Sequence, residues 1–263
     1  MDLQLTGKRA LIVGGTRGIG LAAGRALGAE GAVVVLAGRT HRPEVAAAVA
    51  AETGARVEAL TVDNRDDASV RTLVERTVEM VGGVDILVNT AAAPWTSDMD
   101  TPASETGDDA MREQFEAKPL AYLRAARAVA PHMTAQGWGR IINVSGLGGR
   151  GGGAVAQTVR NISVAAITKN LADELGPHGI NVVVVNPGLT RTERLTERLT
   201  SQAAAGGTTV EELERGMTRN VIRRMVDASE VADVIAFLAS PRSIAITGDA
   251  IAVGGGVPGP IYL

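Results

Sequence analysis

Short apolar, β-branched runs recur along the chain at 10–13, 32–37, 56–61, 86–89, 140–144, 181–186 and 250–253. Between them lie longer Ala-rich stretches of helical period at 18–30, 43–53, 68–81, 109–136, 156–175 and 230–238. A strand with almost no polar alternation is covered on both faces, as in a parallel sheet clothed by crossover helices. The pattern predicts an α/β fold, with one doubly wound domain over residues 1–263, a seven-stranded parallel sheet and helices on each side. Residues 190–225 break the alternation, and charges interleaved with Leu195, Leu199 and Leu213 predict amphipathic helices there. That stretch reads either as a solvated excursion or as a substrate lid, because segments after a strand's carboxyl end border the ligand cleft.

Composition narrows the function classes. The chain has 263 residues, 45% of them hydrophobic and 21% charged, which supplies enough apolar surface for a folded core. A formal net charge of -3 with a pI near 5.7 argues against nucleic acid and anionic membranes as partners. Cys is absent and the three His residues are scattered, so neither a disulfide framework nor a metal site is expected. The longest apolar runs, such as 32–37, are too short to cross a bilayer, the N-terminal stretch lacks the regions of a secretory signal, and the cytoplasm is the expected compartment.

The first candidate strand leads into Gly14-Gly15-Thr16-Arg17-Gly18-Ile19-Gly20, which opens the first helix. Glycines there permit a tight turn, and the free N–H groups of the helix start suit a diphosphate. With its G-x-x-x-G-x-G spacing the chain resembles the short-chain dehydrogenase/reductase family, and other motifs extend the resemblance over nearly its whole length. Asp63, followed by Asn64, resembles the family's adenine-contacting acid. Asn89-Thr90-Ala91-Ala92 resembles the stretch that stabilises the central sheet, and Asn186-Pro187-Gly188-Leu189-Thr190-Arg191-Thr192 the turn that holds the nicotinamide carboxamide. Ile246-Thr247-Gly248 and Val253-Gly254-Gly255-Gly256 complete the pattern, with Gly254 where the family usually carries an acid. The resemblance implies a Rossmann domain, a homodimer or homotetramer, and a dinucleotide contacted by Gly14, Thr16, Arg17, Gly18, Ile19, Gly20, Asp63, Asn64, Asn89, Ala91, Pro187, Gly188, Thr190 and Thr192.

The second strand ends Leu36-Ala37-Gly38-Arg39, so no carboxylate stands where a ribose 2′-hydroxyl would be read. Arg39, with Arg17, suits a 2′-phosphate instead, which favours NADP(H) over NAD(H).

The catalytic pattern departs from the resemblance. Ketone-reducing members carry Asn, Ser, Tyr and Lys, the last two as Tyr-x-x-x-Lys on the fifth helix. Here the tyrosines are Tyr122 and Tyr262. Gln157 and Asn161 align with the pair, or Val159 and Ser163 if the register is taken from the strand end. The Ser position falls on Gly146, beside Ser145, and the Asn position on Lys118. Lys118 reads as a proton donor to a developing oxyanion, or equally as a snorkelling lysine paired with Glu113, Gln114 or Glu116. Arg160 is a second candidate cation, expected to pair with an acid or a neighbouring subunit.

A positioned general acid contributes roughly 10² to 10⁴ in rate, whereas near-attack geometry contributes about 7 to 11 kcal/mol. Hydride transfer can therefore outlast a missing Tyr on a substrate that stabilises its own anion, such as an aromatic ketone or a quinone. Three readings stand: an NADPH-dependent reductase with protonation by the substrate or Lys118, a silent subunit paired with an active paralogue, and a non-redox lyase or cyclase. The intact phosphate turn favours the first. Trp95 reads as a cleft wall or ordinary loop packing, Trp138 as structural, and His41, His132 and His178 as surface groups.

Overall fold

The computed structural model describes residues 1–91 and 101–259, so Ala92, Trp95 and Tyr262 lie outside the described residues. Each predicted strand and helix is present within a few residues of its expected bounds. The strands are β1 (Arg9–Val13), β2 (Val33–Gly38), β3 (Val57–Thr61), β4 (Ile86–Asn89), β5 (Gly139–Val144), β6 (Ile180–Pro187) and, last in the chain, β9 (Ala250–Val253). They form one seven-stranded parallel sheet in the order β3-β2-β1-β4-β5-β6-β9. The order reverses between β1 and β4, and in doubly wound sheets the ligand crevice opens at that switch point.

The helices flanking the sheet explain why its strands read as continuously apolar. On one face, Ala10, Ile12, Val34, Leu36, Ile86 and Val88 pack against α1 (Gly18–Ala29), α2 (Pro43–Thr53) and α9 (Ala228–Ala239). On the other, Leu11, Val13, Val35, Ala37 and Leu87 meet α3 (Asp67–Val81), α5 (Ala121–Gln136) and α6 (Val155–Leu175). Successive side chains point to opposite faces, so both sets must be apolar.

Two features differ from the pattern-based expectation. The stretch read as one helix over 109–136 is α4 (Asp108–Phe115), then α5, joined by a π-helical turn over Glu116–Leu120. Pro119 lies inside that turn; with no N–H to donate and a ring that crowds the preceding turn, it widens the helix locally. Residues 190–225 do contain amphipathic helices, α7 (Glu193–Gly206) and α8 (Val210–Met217). They sit between two short strands, β7 (Thr190–Arg191) and β8 (Val226–Asp227), which pair with each other. Arg191 clamps this excursion by bonding Glu214 and Asp227.

Trp138 is held between Lys8 and Arg140 at the amino end of β5, a structural placement. Among the described residues no helix is long and apolar enough to cross a membrane.

Candidate active site

Two cavities open at the carboxyl ends of the strands. The first, about 470 Å³, is walled by Val13, Gly14, Thr16, Arg17, Gly18, Ile19 and Gly20 of the β1–α1 turn, with Gly38 and Arg39 from the end of β2. Asn64, Ala91 and Thr192 complete it. The turn has little room for side chains. A Cβ on Gly14 would stand 2.6 Å from the Ala91 nitrogen, and one on Gly20 would stand 2.3 Å from the Gly14 oxygen. Gly18 has φ +55, in the left-handed region that favours glycine.

The helix that follows is built to receive negative charge. The first turn of α1 has no acidic residue, and its N-cap Arg17 makes no side-chain cap. Glu193, from the start of α7, accepts the Gly18 amide at 2.9 Å. A carboxylate thus already sits on an amide of the kind that binds phosphate at helix starts. Arg39 and Arg17 are exposed on the rim of the same cavity. The donor set and the acid-free start fit an anionic dinucleotide.

Two residues expected at the dinucleotide stand elsewhere. Asp63 is not in the wall; its Oδ1 accepts the Arg65 amide in a local turn, and neighbouring Val62 and Asn64 line the cavity instead. Asn89 is fully buried, and its Nδ2 donates to Asn143, which in turn donates to Thr168. That chain ties β4, β5 and α6 together below the cleft. The sheet-stabilising role of Asn89 is the one the geometry allows.

The second cavity, about 980 Å³, meets the first at Ile19 and Thr192. Ser145, Gly146, Gln157, Arg160 and Asn161 form one wall, and Pro187, Gly188 and Thr190 another. Leu147, Leu189, Met217, Met225 and Val257 add apolar surface. The Ser145 hydroxyl lies 3.2 Å from the Asn161 carbonyl and 3.3 Å from its Oδ1. A Cβ on Gly146 would be 3.4 Å from Asn161 Nδ2, so that amide nitrogen faces the glycine-rich loop.

Lys118 stands behind this wall and lines neither cavity. Its Nζ donates to the Ser145 carbonyl at 3.0 Å and to Asn161 Oδ1 at 3.2 Å. It is 3% exposed, so it does not snorkel, and it pairs with none of the neighbours expected for it. Glu113 bonds Arg65, Gln114 bonds Arg160, and Glu116 bonds Arg124. The π-helical turn rotates Lys118 inward. Burial first, and the Arg160 charge second, push the amine well below the ordinary lysine value.

Arg160 differs from its expectation too. Among the described residues it is paired with no acid, and its Nη1 donates to the Gln114 side-chain oxygen. Tyr122 is fully buried, donates its hydroxyl to the Val144 carbonyl and lines neither cavity; burial raises its phenol above the ordinary value.

Sequence reasoning missed Glu193, and offered Gln114 to Lys118 when its partner is Arg160. Neither carries a local signal, since each acquires its partner only when α7 meets α1 or α4 meets α6. Among the described residues no group of three or more His, Asp or Glu is placed to hold a metal ion.

The family described as Enoyl-(Acyl carrier protein) reductase matches residues 13–258, from the end of β1 to past β9. The chain belongs to the short-chain dehydrogenase/reductase family. Within it, the chain is 32% identical to the short-chain reductase protein NovJ of Streptomyces niveus, over 95% of this chain and 93% of that one. It is 31% identical to the 3-oxoacyl-acyl-carrier-protein reductase FabG of Haemophilus influenzae, over 96% and 99%. The crystal structure of L-sorbose reductase from Gluconobacter frateurii, complexed with NADPH and L-sorbose, superposes with a TM-score of 0.92 at 29% identity, covering 99% of this chain and 100% of that one. The family and these relatives make the chain an oxidoreductase of ketoreductase type.

Proposed function

We propose that the protein is an NADPH-dependent carbonyl or quinone reductase that works without a phenol donor. The carrying observation is the pairing of a phosphate-ready turn with a second cavity whose reactive wall holds Ser145, Gln157 and Asn161 and, among the described residues, no tyrosine. Gly14 to Gly20 would hold the diphosphate, Arg39 and Arg17 the 2′-phosphate, and Pro187, Gly188, Thr190 and Thr192 the nicotinamide end. When bound, NADPH supplies a hydride.

The chain's own residues orient the acceptor. The Ser145 hydroxyl and the Asn161 amide nitrogen are hydrogen-bond donors placed to stabilise a developing oxyanion. Lys118 is a positioning residue, since its amine holds Asn161 Oδ1 and thereby turns the amide nitrogen toward the cavity. Its Nζ is held by the Ser145 carbonyl and Asn161 Oδ1 and lines neither cavity, so it does not reach a substrate to protonate it. The final proton then comes from the substrate or from water, which suits quinones and aromatic ketones that stabilise their own anion. Residues 190–225 serve as a lid, contributing Glu193 to the first cavity and Met217 to Met225 to the second. Exposed Phe115, Val159 and Ile162, on α4 and α6, support a homodimer or homotetramer formed through those helices. The cytoplasm is the compartment proposed for it.

The test is a titration of NADPH fluorescence with purified protein, followed by NADPH oxidation with menadione as acceptor. Micromolar binding and quinone-dependent oxidation are expected. No binding would replace this reading with that of a silent subunit. Binding without turnover on quinones or aromatic ketones would leave a cofactor-holding protein of another chemistry.

A further inference from the structure

Charge along the second cavity is one-sided. Among the described residues its lining includes Arg150, Arg160, Arg219 and Arg224, and no Asp or Glu. Two of these are engaged: Arg224 by Glu230, and Arg150 by the Ala250 carbonyl. Arg219 is exposed at the mouth. Arg160 is the unusual one. It is 7% exposed, its Nη1 donates to the neutral Gln114 oxygen, and among the described residues its buried Nε has no hydrogen-bond partner. Among the described residues no salt bridge reaches it, and the buried amine of Lys118, which feels its charge, can only add positive charge.

A guanidinium in low dielectric without a counter-ion costs several kcal/mol. Buried polar atoms are ordinarily satisfied, and an exception requires a reason. Arginine retains its charge under such conditions and offers a planar fork suited to a carboxylate. The apolar surface of Leu147, Leu189, Met217 and Met225 borders the same space.

We propose that the substrate is an organic anion, an apolar skeleton bearing a carboxylate or an ionised phenol or enol that seats on Arg160. This deepens the reductase reading and rests on the second cavity being the substrate site. Arg160 is then the specificity-determining residue, and the anion neutralises the guanidinium charge where that residue lines the cavity. The uncharged amide of the same skeleton keeps the apolar contacts and loses the charge-assisted bonds.

The experiment compares 2-naphthoate with its neutral isostere 2-naphthamide by calorimetry, on NADPH-loaded and cofactor-free protein. The expected result is at least tenfold tighter binding of the naphthoate, weakened by added salt. Arg160→Gln should abolish the preference and Arg160→Lys should keep part of it, both with native circular dichroism. Equal binding of the two probes to the wild-type protein, or a preference untouched in Arg160→Gln, overturns the proposal without need of any other variant. A naphthoate preference in a protein that refuses NADPH would sink the reductase reading and leave the anion site standing. NADPH binding with no naphthoate preference would do the reverse.

Discussion

Lys118 Nζ donates to Asn161 Oδ1 across 3.2 Å, joining the π-helical turn before α5 to the middle of α6. That bond fixes which end of the Asn161 amide faces the cavity. Lys118→Met should leave NADPH affinity unchanged while lowering kcat by roughly tenfold to a hundredfold, within the range of a weakened oxyanion donor. KM should move far less than kcat. Steady-state kinetics with a quinone acceptor check this, and equal losses in both parameters would point to a disturbed fold instead.

The same residue makes stability pH-dependent. Lys118 has its pKa lowered in the folded protein, first by burial and then by Arg160. Between that lowered value and the unfolded one the unfolded chain binds the extra proton, so stability rises with pH. The penalty is absent above the unfolded value and complete below the folded one. Within the window the slope reaches about 1.4 kcal/mol per pH unit. Urea denaturation from about pH 6 to about pH 10 should show wild type gaining on Lys118→Met as pH rises. Parallel curves would refute the assignment.

Cofactor choice should follow Arg39. Its side chain stands exposed on the rim of the first cavity, beside Gly38. Arg39→Ala should weaken NADPH by about tenfold, the value of one charge-assisted hydrogen bond, and hardly affect NADH. Gly38→Asp should shift preference further toward NADH, with some loss of stability, because a Cβ there lies 3.1 Å from Thr16 Oγ1. Fluorescence titrations with both dinucleotides decide.

Glu193 occupies the Gly18 amide that an incoming phosphate would use. A charge at a helix start contributes about 0.3–1 kcal/mol, so Glu193→Gln should tighten NADPH binding by about two- to fivefold. Weaker binding would mean that Glu193 orders the turn instead of competing for it.

Below the cleft, Asn143 accepts from Asn89 and donates to Thr168, and all three are buried. Asn143→Leu leaves two polar partners without a bond, at roughly 1–3 kcal/mol for each. A lower urea midpoint with an unchanged dependence on denaturant is expected.

Much of this protein is readable from the chain. A strand such as Val33–Gly38 must be apolar on both faces to lie between two helical layers, so its pattern identifies both strand and setting. The Gly14-to-Gly20 turn is legible because a close backbone approach leaves no room for Cβ atoms. The 190–191 and 226–227 strands were not legible, since two residues carry no period and the pairing spans an excursion of two helices. Asp63 was misplaced because an acid in a loop can cap its own turn as readily as face a ligand.

By itself the sequence determined the layered sheet, the position of the phosphate turn and the absence of a tyrosine from the fifth-helix motif, because these depend on hydrophobic period, glycine and residue identity. Only the tertiary structure decided that Lys118 turns behind the wall, that Glu193 reaches Gly18, and that Arg160 is buried without a counter-ion among the described residues. Those facts depend on how separate helices meet, and on the burial that their meeting creates.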